Sequence, residues 1–178
     1  MRSRGSPRVR RNYMFIGDFF RWISGTRKCR NLAELCAYIE PGDYDHLAHW
    51  ISQRIWYKPD RKPRDSWEPA DKVIKRGSCD CEEKAVIAAG VINTWPGCKA
   101  GTLAIIQPDA ANNHAVCVFG DKDGPGYIDD SIVKRFPPGT ELSEMVRGSW
   151  PAALDFYFCD IHGRRSGENS DPCRDTAA

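Results

Sequence analysis

The sequence predicts an α+β domain in which helices come first and a small antiparallel sheet follows. Three observations lead there. Residues 31–55 carry apolar side chains at helical spacing, and residues 99–163 carry short β-branched or aromatic runs separated by turn clusters. Between them, "RGSCDCEEKAVIAAG" (76–90) reads as a helix preceded by two cysteines. Helices and strands segregated along the chain argue for α+β over a doubly wound parallel sheet.

The elements follow in order. "NLAELCAYIEPG" opens with Asn31 and has Glu34 three residues later, a capping-box pattern, with Leu32, Leu35, Cys36 and Ile39 on one face and Pro41-Gly42 as the stop. "DYDHLAHWISQRIWY" offers a cap at Asp43 or Asp45 and a stripe of Leu47, Trp50, Ile51 and Ile55, ending before the turn region between Pro59 and Pro63. In the third helix Asp80 and Glu83 repeat the capping-box spacing, which makes Cys81 the first helical residue, in line with Ala85, Ala88 or Ala89, and Ile92. "KAGTLAIIQP", "HAVCVFG", "GYIDDSIV" and "LDFYFCDIHG" are the strands, the middle pair a hairpin.

The chain has 178 residues, enough for one sizeable core, so a single domain with tails is expected. Residues 1–11 form a basic arm with Arg2, Arg4, Arg8, Arg10 and Arg11 and no acid, residues 12–163 the domain, and residues 164–178 a polar, disordered tail. A composition of 41% hydrophobic and 28% charged residues is that of a soluble globular protein. The net charge of +2 predicts no bulk affinity for nucleic acid, leaving only weak contacts by the arm. No apolar run approaches the roughly 20 residues of a membrane span; "YMFIGDFFRWI" is broken by Asp18 and Arg21. With no export signal recognised, the eight cysteines are expected to be free thiols in a cytoplasmic protein.

Cys81 carries the chemistry. A thiol at a helix N-terminus meets unpaired backbone N–H groups and the positive end of the macrodipole, both favouring thiolate. Glu82 and Glu83 oppose this, but with their carboxylates directed to solvent or to the cap, the activating effects are expected to prevail. A nucleophile needs a base. His46 and His49 lie on the second helix and His162 at the exit of the last strand, which leaves His114 at the start of an apolar strand. Fifteen residues on, a hairpin would bring Asp129 and Asp130 beside it, where one carboxylate can accept an imidazole N–H.

The order Cys, His, Asp resembles the transglutaminase-like superfamily of papain-like thiol enzymes, in particular its bacterial cysteine proteinase branch. The resemblance is carried by "WYKPD" (56–60), "DSWEP" (65–69), "CDCEEKA" (79–85), "NHAVCVF" (113–119) and "YIDDS" (127–131), and covers about residues 50–135. It implies a papain-like, transglutaminase-core fold with the catalytic helix packed on the sheet, Cys81 as nucleophile, His114 as base and Asp129 as its orienter, and a cysteine peptidase acting on a peptide or protein without a cofactor or metal. Cys79 stands where the family pattern has glycine, and Glu83 where it has aspartate. Cys79 is therefore an alternate nucleophile and Asp130 an alternate orienter. Trp67, Asp80 and Asn113 are expected beside the site, Trp56, Tyr57 and Trp67 as packing residues and Asn112 and Asn113 as turn residues.

Three other readings stay open. Acyl transfer to an amine, as in a protein-glutamine transglutaminase, needs the same triad. A catalytically silent module of the same fold could serve in binding. Cys79, Cys81, Cys98, His114 and Cys117 could in number furnish a tetrahedral zinc site, although residues three apart on a strand face opposite ways.

Overall fold

Asn31 opens the first helix, α1 (Leu32–Tyr38), its Oδ1 accepting the Glu34 N–H at 2.8 Å, in a computed structural model that describes residues 27–59 and 68–159. The basic arm, the tail and the domain edges at 12 and 163 lie outside the described residues. Glu34 reaches back in turn to the Arg30 N–H at 2.9 Å, so two groups at the helix start are satisfied reciprocally. Of the two acidic candidates for the second cap, Asp43 serves: it accepts the His46 N–H at 3.1 Å and starts α2 (Tyr44–Arg54). Leu47, Trp50, Ile51 and the C-cap Ile55 are all buried.

A two-residue strand, β1 (Trp56–Tyr57), then pairs in parallel with β2 (Ser78–Cys79). Between them lies α3 (Ala70–Arg76), a helix the sequence reading lacks. It buries only Val73 and Ile74, too little for a visible period, and ends at Gly77 in the left-handed region (φ 74°) with the Gly77 N–H on Val73 O.

The central helix, α4 (Cys81–Ile92), begins at Cys81 as expected. Its cap differs from expectation. The Asp80 side chain makes no cap hydrogen bond, and Glu83, only 3% exposed, accepts the Glu68 N–H at 3.3 Å and lies 3.5 Å from the Arg76 guanidinium. A carboxylate so far from water needs partners, and the guanidinium within reach is one of them. Ala85, Ile87, Ala88, Ala89, Val91 and Ile92 are buried, as expected of a helix covered on all sides. The earlier helices pack on one side and the sheet on the other.

That sheet is antiparallel, ordered β6-β5-β4-β3-β7, from β3 (Lys99–Ile106), β4 (His114–Asp121), β5 (Gly124–Asp129), β6 (Ile132–Arg135) and β7 (Asp155–Cys159). The expected hairpin is β4–β5, closed by the pair Asp121↔Gly124. "GYIDDSIV", expected as one strand, is two: Asp130 adopts the left-handed region (φ 51°) and turns the chain so that Asp129 pairs with Ile132. Aspartate tolerates that conformation better than most side chains, which is why no glycine marks the turn.

Strand alternation divides the core. Cys117, Phe119 and Ile128 pack with α4, while Leu103, Val116, Val118 and Tyr127 pack with Leu142, Met145 and Val146 of a last helix, α5 (Leu142–Ser149). The sequence reading lacks α5 also, a helix of eight residues between "PPG" (137–139) and "WP" (150–151). All seven cysteines among the described residues are free. Among those residues no helix is long and apolar enough to cross a membrane.

Candidate active site

The N-terminus of α4, the start of β4 and the end of β5 converge at one end of the sheet, around a pocket of about 220 Å3. Its polar lining is Tyr57, Cys81, Lys84, His114, Asp129 and Asp130; Ala85, Ala88 and Ala115 keep its floor shallow and apolar.

His114 and Asp129 are in direct contact, with Nε2 2.7 Å from Oδ1. The registered pair Cys117↔Ile128 explains why. Asp129 follows Ile128 at the end of β5 and His114, three residues before Cys117, starts β4, so the register brings the two side chains together where the strands end. The Asp129 hydrogen bond raises the His114 pKa above the ordinary imidazole value; burial opposes it, and the charges of Asp129, Glu82 and Asp130 add to it. With Nε2 engaged by Asp129, Nδ1 is the ring nitrogen left for proton exchange.

Asp130 is engaged elsewhere. Its carboxylate lies 2.6 Å from the Lys84 ammonium and, at 54% exposed, sits at the rim. Of the two adjacent aspartates, Asp129 touches the imidazole and Asp130 ties to α4.

Cys81 differs from expectation in its protonation. Burial, then the charge of Glu82, push the thiol up to about 12; a hydrogen bond from the Ala115 backbone N–H opposes them, and Asp80 adds to the rise. Glu82 is not directed to solvent: it folds back to accept the Cys81 S–H at 3.3 Å. A carboxylate at contact distance outweighs the partial charge of a helix end. The resting group is a thiol, not the thiolate that helix position alone predicts.

Cys79 lies in the core, 2% exposed, outside the pocket lining, and burial raises its thiol still further above the ordinary value. Asp80, also buried, stays at the N-cap, where its charge reaches Cys81. Asn113 is turned away from the pocket, its Oδ1 accepting the Gln107 N–H at 2.9 Å. Trp67 and His162 lie outside the described residues. The zinc set is dispersed: Cys79 and Cys117 are in the core, and Cys98 precedes Lys99, which pairs with Gly120 at the opposite end of β4 from His114. At about 3.3 Å per residue, that is on the order of 20 Å away. Among the described residues no group of three or more His, Cys, Asp or Glu could hold a metal ion.

Two further pocket residues, Lys84 and Tyr57, carry no chemical signal in a local motif. Lys84 follows Cys81 by three positions, hence on the same helical face, a signal that spacing alone could have supplied. Tyr57, expected as a packing residue, is 62% exposed on β1, and its hydroxyl pKa is raised by burial and then by Cys81. Its nearness to Cys81 depends on the β1–β2 pairing, which no local pattern announces.

No protein-family model matches the chain, and no curated protein matches it. Among solved structures, Legionella pneumophila LapG is similar to it at 15% sequence identity, over 75% of this chain and 75% of that one, with a TM-score of 0.46.

Proposed function

We propose that this protein is a thiol-dependent amide hydrolase of the transglutaminase-like type, a cysteine peptidase working through an acyl-enzyme. The observation that carries the reading is the 2.7 Å hydrogen bond between His114 Nε2 and Asp129 Oδ1 in a pocket that also holds the thiol of Cys81. An imidazole oriented by a carboxylate beside a thiol is the arrangement that covalent acyl transfer requires.

In the proposed reaction the substrate carbonyl carbon is attacked by Cys81 Sγ while its proton passes to His114 Nδ1. Because the thiol starts with a pKa of about 12, proton transfer accompanies attack instead of preceding it. Asp129 holds the imidazole tautomer and stabilises the imidazolium. The oxyanion meets the Cys81 backbone N–H, free at the first turn of α4, and the hydroxyl of Tyr57. Collapse breaks the C–N bond, His114 returns the proton to the departing amine, and a thioester remains. Water then attacks the thioester, giving its proton to His114, and the carboxylic acid and thiol are released.

The test is hydrolysis of a mixed peptide library, with the acyl-enzyme trapped by acid quench and located by mass. Cys81→Ser should abolish both turnover and the thioester, while Cys79→Ser keeps a substantial fraction of turnover. The reverse pattern assigns the nucleophile to Cys79.

A further inference from the structure

The Lys84–Asp130 pair lies beside the triad without belonging to it. Lys84 is 8% exposed, and burying an ammonium is costly unless a partner holds it. Its partner is not on its own helix. Asp130, 46 residues on, sits at the turn between β5 and β6, directly after Asp129, in a left-handed conformation (φ 51°) that a side chain other than glycine adopts at a cost. The Tyr57 ring lies 5.8 Å from the same ammonium. A buried cation, a strained turn residue and the residue that orients His114 are thus contiguous.

We propose that Lys84 is a positioning residue: its ion pair with Asp130 clamps the β5–β6 turn, and with it the Asp129 carboxylate, to the helix that carries Cys81. The inference rests on the peptidase reading for its consequence in turnover, but the clamp is a property of the resting protein. Without the pair, nothing else in the described contacts ties the Asp130 side chain to α4. Asp129, at the last paired position of β5, then has more freedom, and its hydrogen bond to His114 lengthens.

The sign of one measurement separates clamp from charge. If Lys84 acts only as a nearby cation, Lys84→Met removes a positive charge and leaves Asp130 unpaired, both of which raise the pKa of His114 by electrostatics. If Lys84 is a clamp, Lys84→Met loosens the Asp129 hydrogen bond, the first cause of the raised value, and the pKa of His114 falls. The groups acting on the imidazole in this comparison are Asp129, Glu82 and Asp130. Methionine fills the space of the lysine stem without burying a charge, so the fold should persist; Lys84→Gln repeats the measurement should the methionine variant fail to fold.

The experiment is an NMR titration of the His114 ring in the full chain, with kcat and KM measured in parallel. We expect the His114 pKa to fall in Lys84→Met, kcat to drop about tenfold to a hundredfold with KM little changed, and Lys84→Arg to restore most of both. Lys84→Met and Asp130→Asn should each show this kcat loss, and the double variant no more than either alone. A His114 pKa that rises or stays put, or losses that multiply in the double variant, overturns the clamp. Because the titration needs no substrate, an inactive protein whose His114 pKa falls in Lys84→Met keeps the clamp and discards the peptidase reading instead.

Discussion

Replacing Glu82 by glutamine isolates the second of the causes, after burial, that hold the Cys81 thiol in its protonated state. The carboxylate accepts the S–H at 3.3 Å, so its charge opposes thiolate by about 1 kcal/mol if the gap behaves as water and about 5 kcal/mol at an effective dielectric near 20. That is roughly one to four pKa units. Glu82 is half-buried, which puts the effect toward the lower bound. Each unit of pKa lost supplies about ten times more thiolate, which is about three times less nucleophilic, for a net gain of about threefold. Glu82→Gln should therefore speed alkylation at neutral pH by about threefold to tenfold. The midpoint of the pH–rate curve should also move down from about 12. The assay is iodoacetamide labelling across pH in a Cys79→Ser background, with modification at Cys81 read by peptide mass. An unmoved midpoint would show that Glu82 does not touch Sγ. Labelling of the unsubstituted protein faster than an exposed model thiol at pH 7 would overturn the raised pKa itself.

Asp129→Asn should reduce turnover by about a thousandfold or more, since an amide favours the wrong imidazole tautomer, whereas Asp130→Asn should cost only about tenfold to a hundredfold. Equal, small losses measured as kcat/KM would mean that neither carboxylate orients His114. Tyr57→Phe should lower kcat by about a hundredfold while leaving KM nearly unchanged, as expected for a donor used only in the transition state; a change confined to KM would remove the hydroxyl from the oxyanion site. Gly126→Ala sets a Cβ 2.5 Å from Phe119 Cζ and 2.7 Å from Lys134 O, so thermal unfolding should come about 3–10 °C earlier. At Asp121, burial raises the pKa, but hydrogen bonds from Arg135, Tyr44 and the Asp123 N–H outweigh it and the net shift is downward. Its stabilisation is thus present above the ordinary value of 3.8 and is lost as pH falls through the lower folded value. Asp121→Asn should flatten that acid limb of the denaturant midpoint against pH.

The sequence by itself determined the features that act over one turn of chain or one strand. Asn31 and Asp43 cap α1 and α2 because a side-chain acceptor three residues ahead of a free N–H is a local fact. Cys81 begins α4, and the β4–β5 hairpin follows from two apolar runs around a short turn, for the same reason. The two short helices were less legible: α3 buries two side chains, too few to show a period, and α5 only three, Leu142, Met145 and Val146, a helical spacing of a single turn; both are held by what they pack on. The split at Asp130 carried no glycine to announce it. The tertiary structure alone decided the electrostatics. Helix position predicted a thiolate, but the fold buries Cys81 and turns Glu82 onto it. The Asp80 side chain makes no cap hydrogen bond, and Glu83 pairs with Arg76 across the α3–α4 junction. Two adjacent aspartates, indistinguishable in sequence, took different partners, Asp129 the imidazole and Asp130 the ammonium of Lys84. Coulomb energies depend on distance and on solvent access, and neither exists until residues 46 positions apart have been brought within 3 Å.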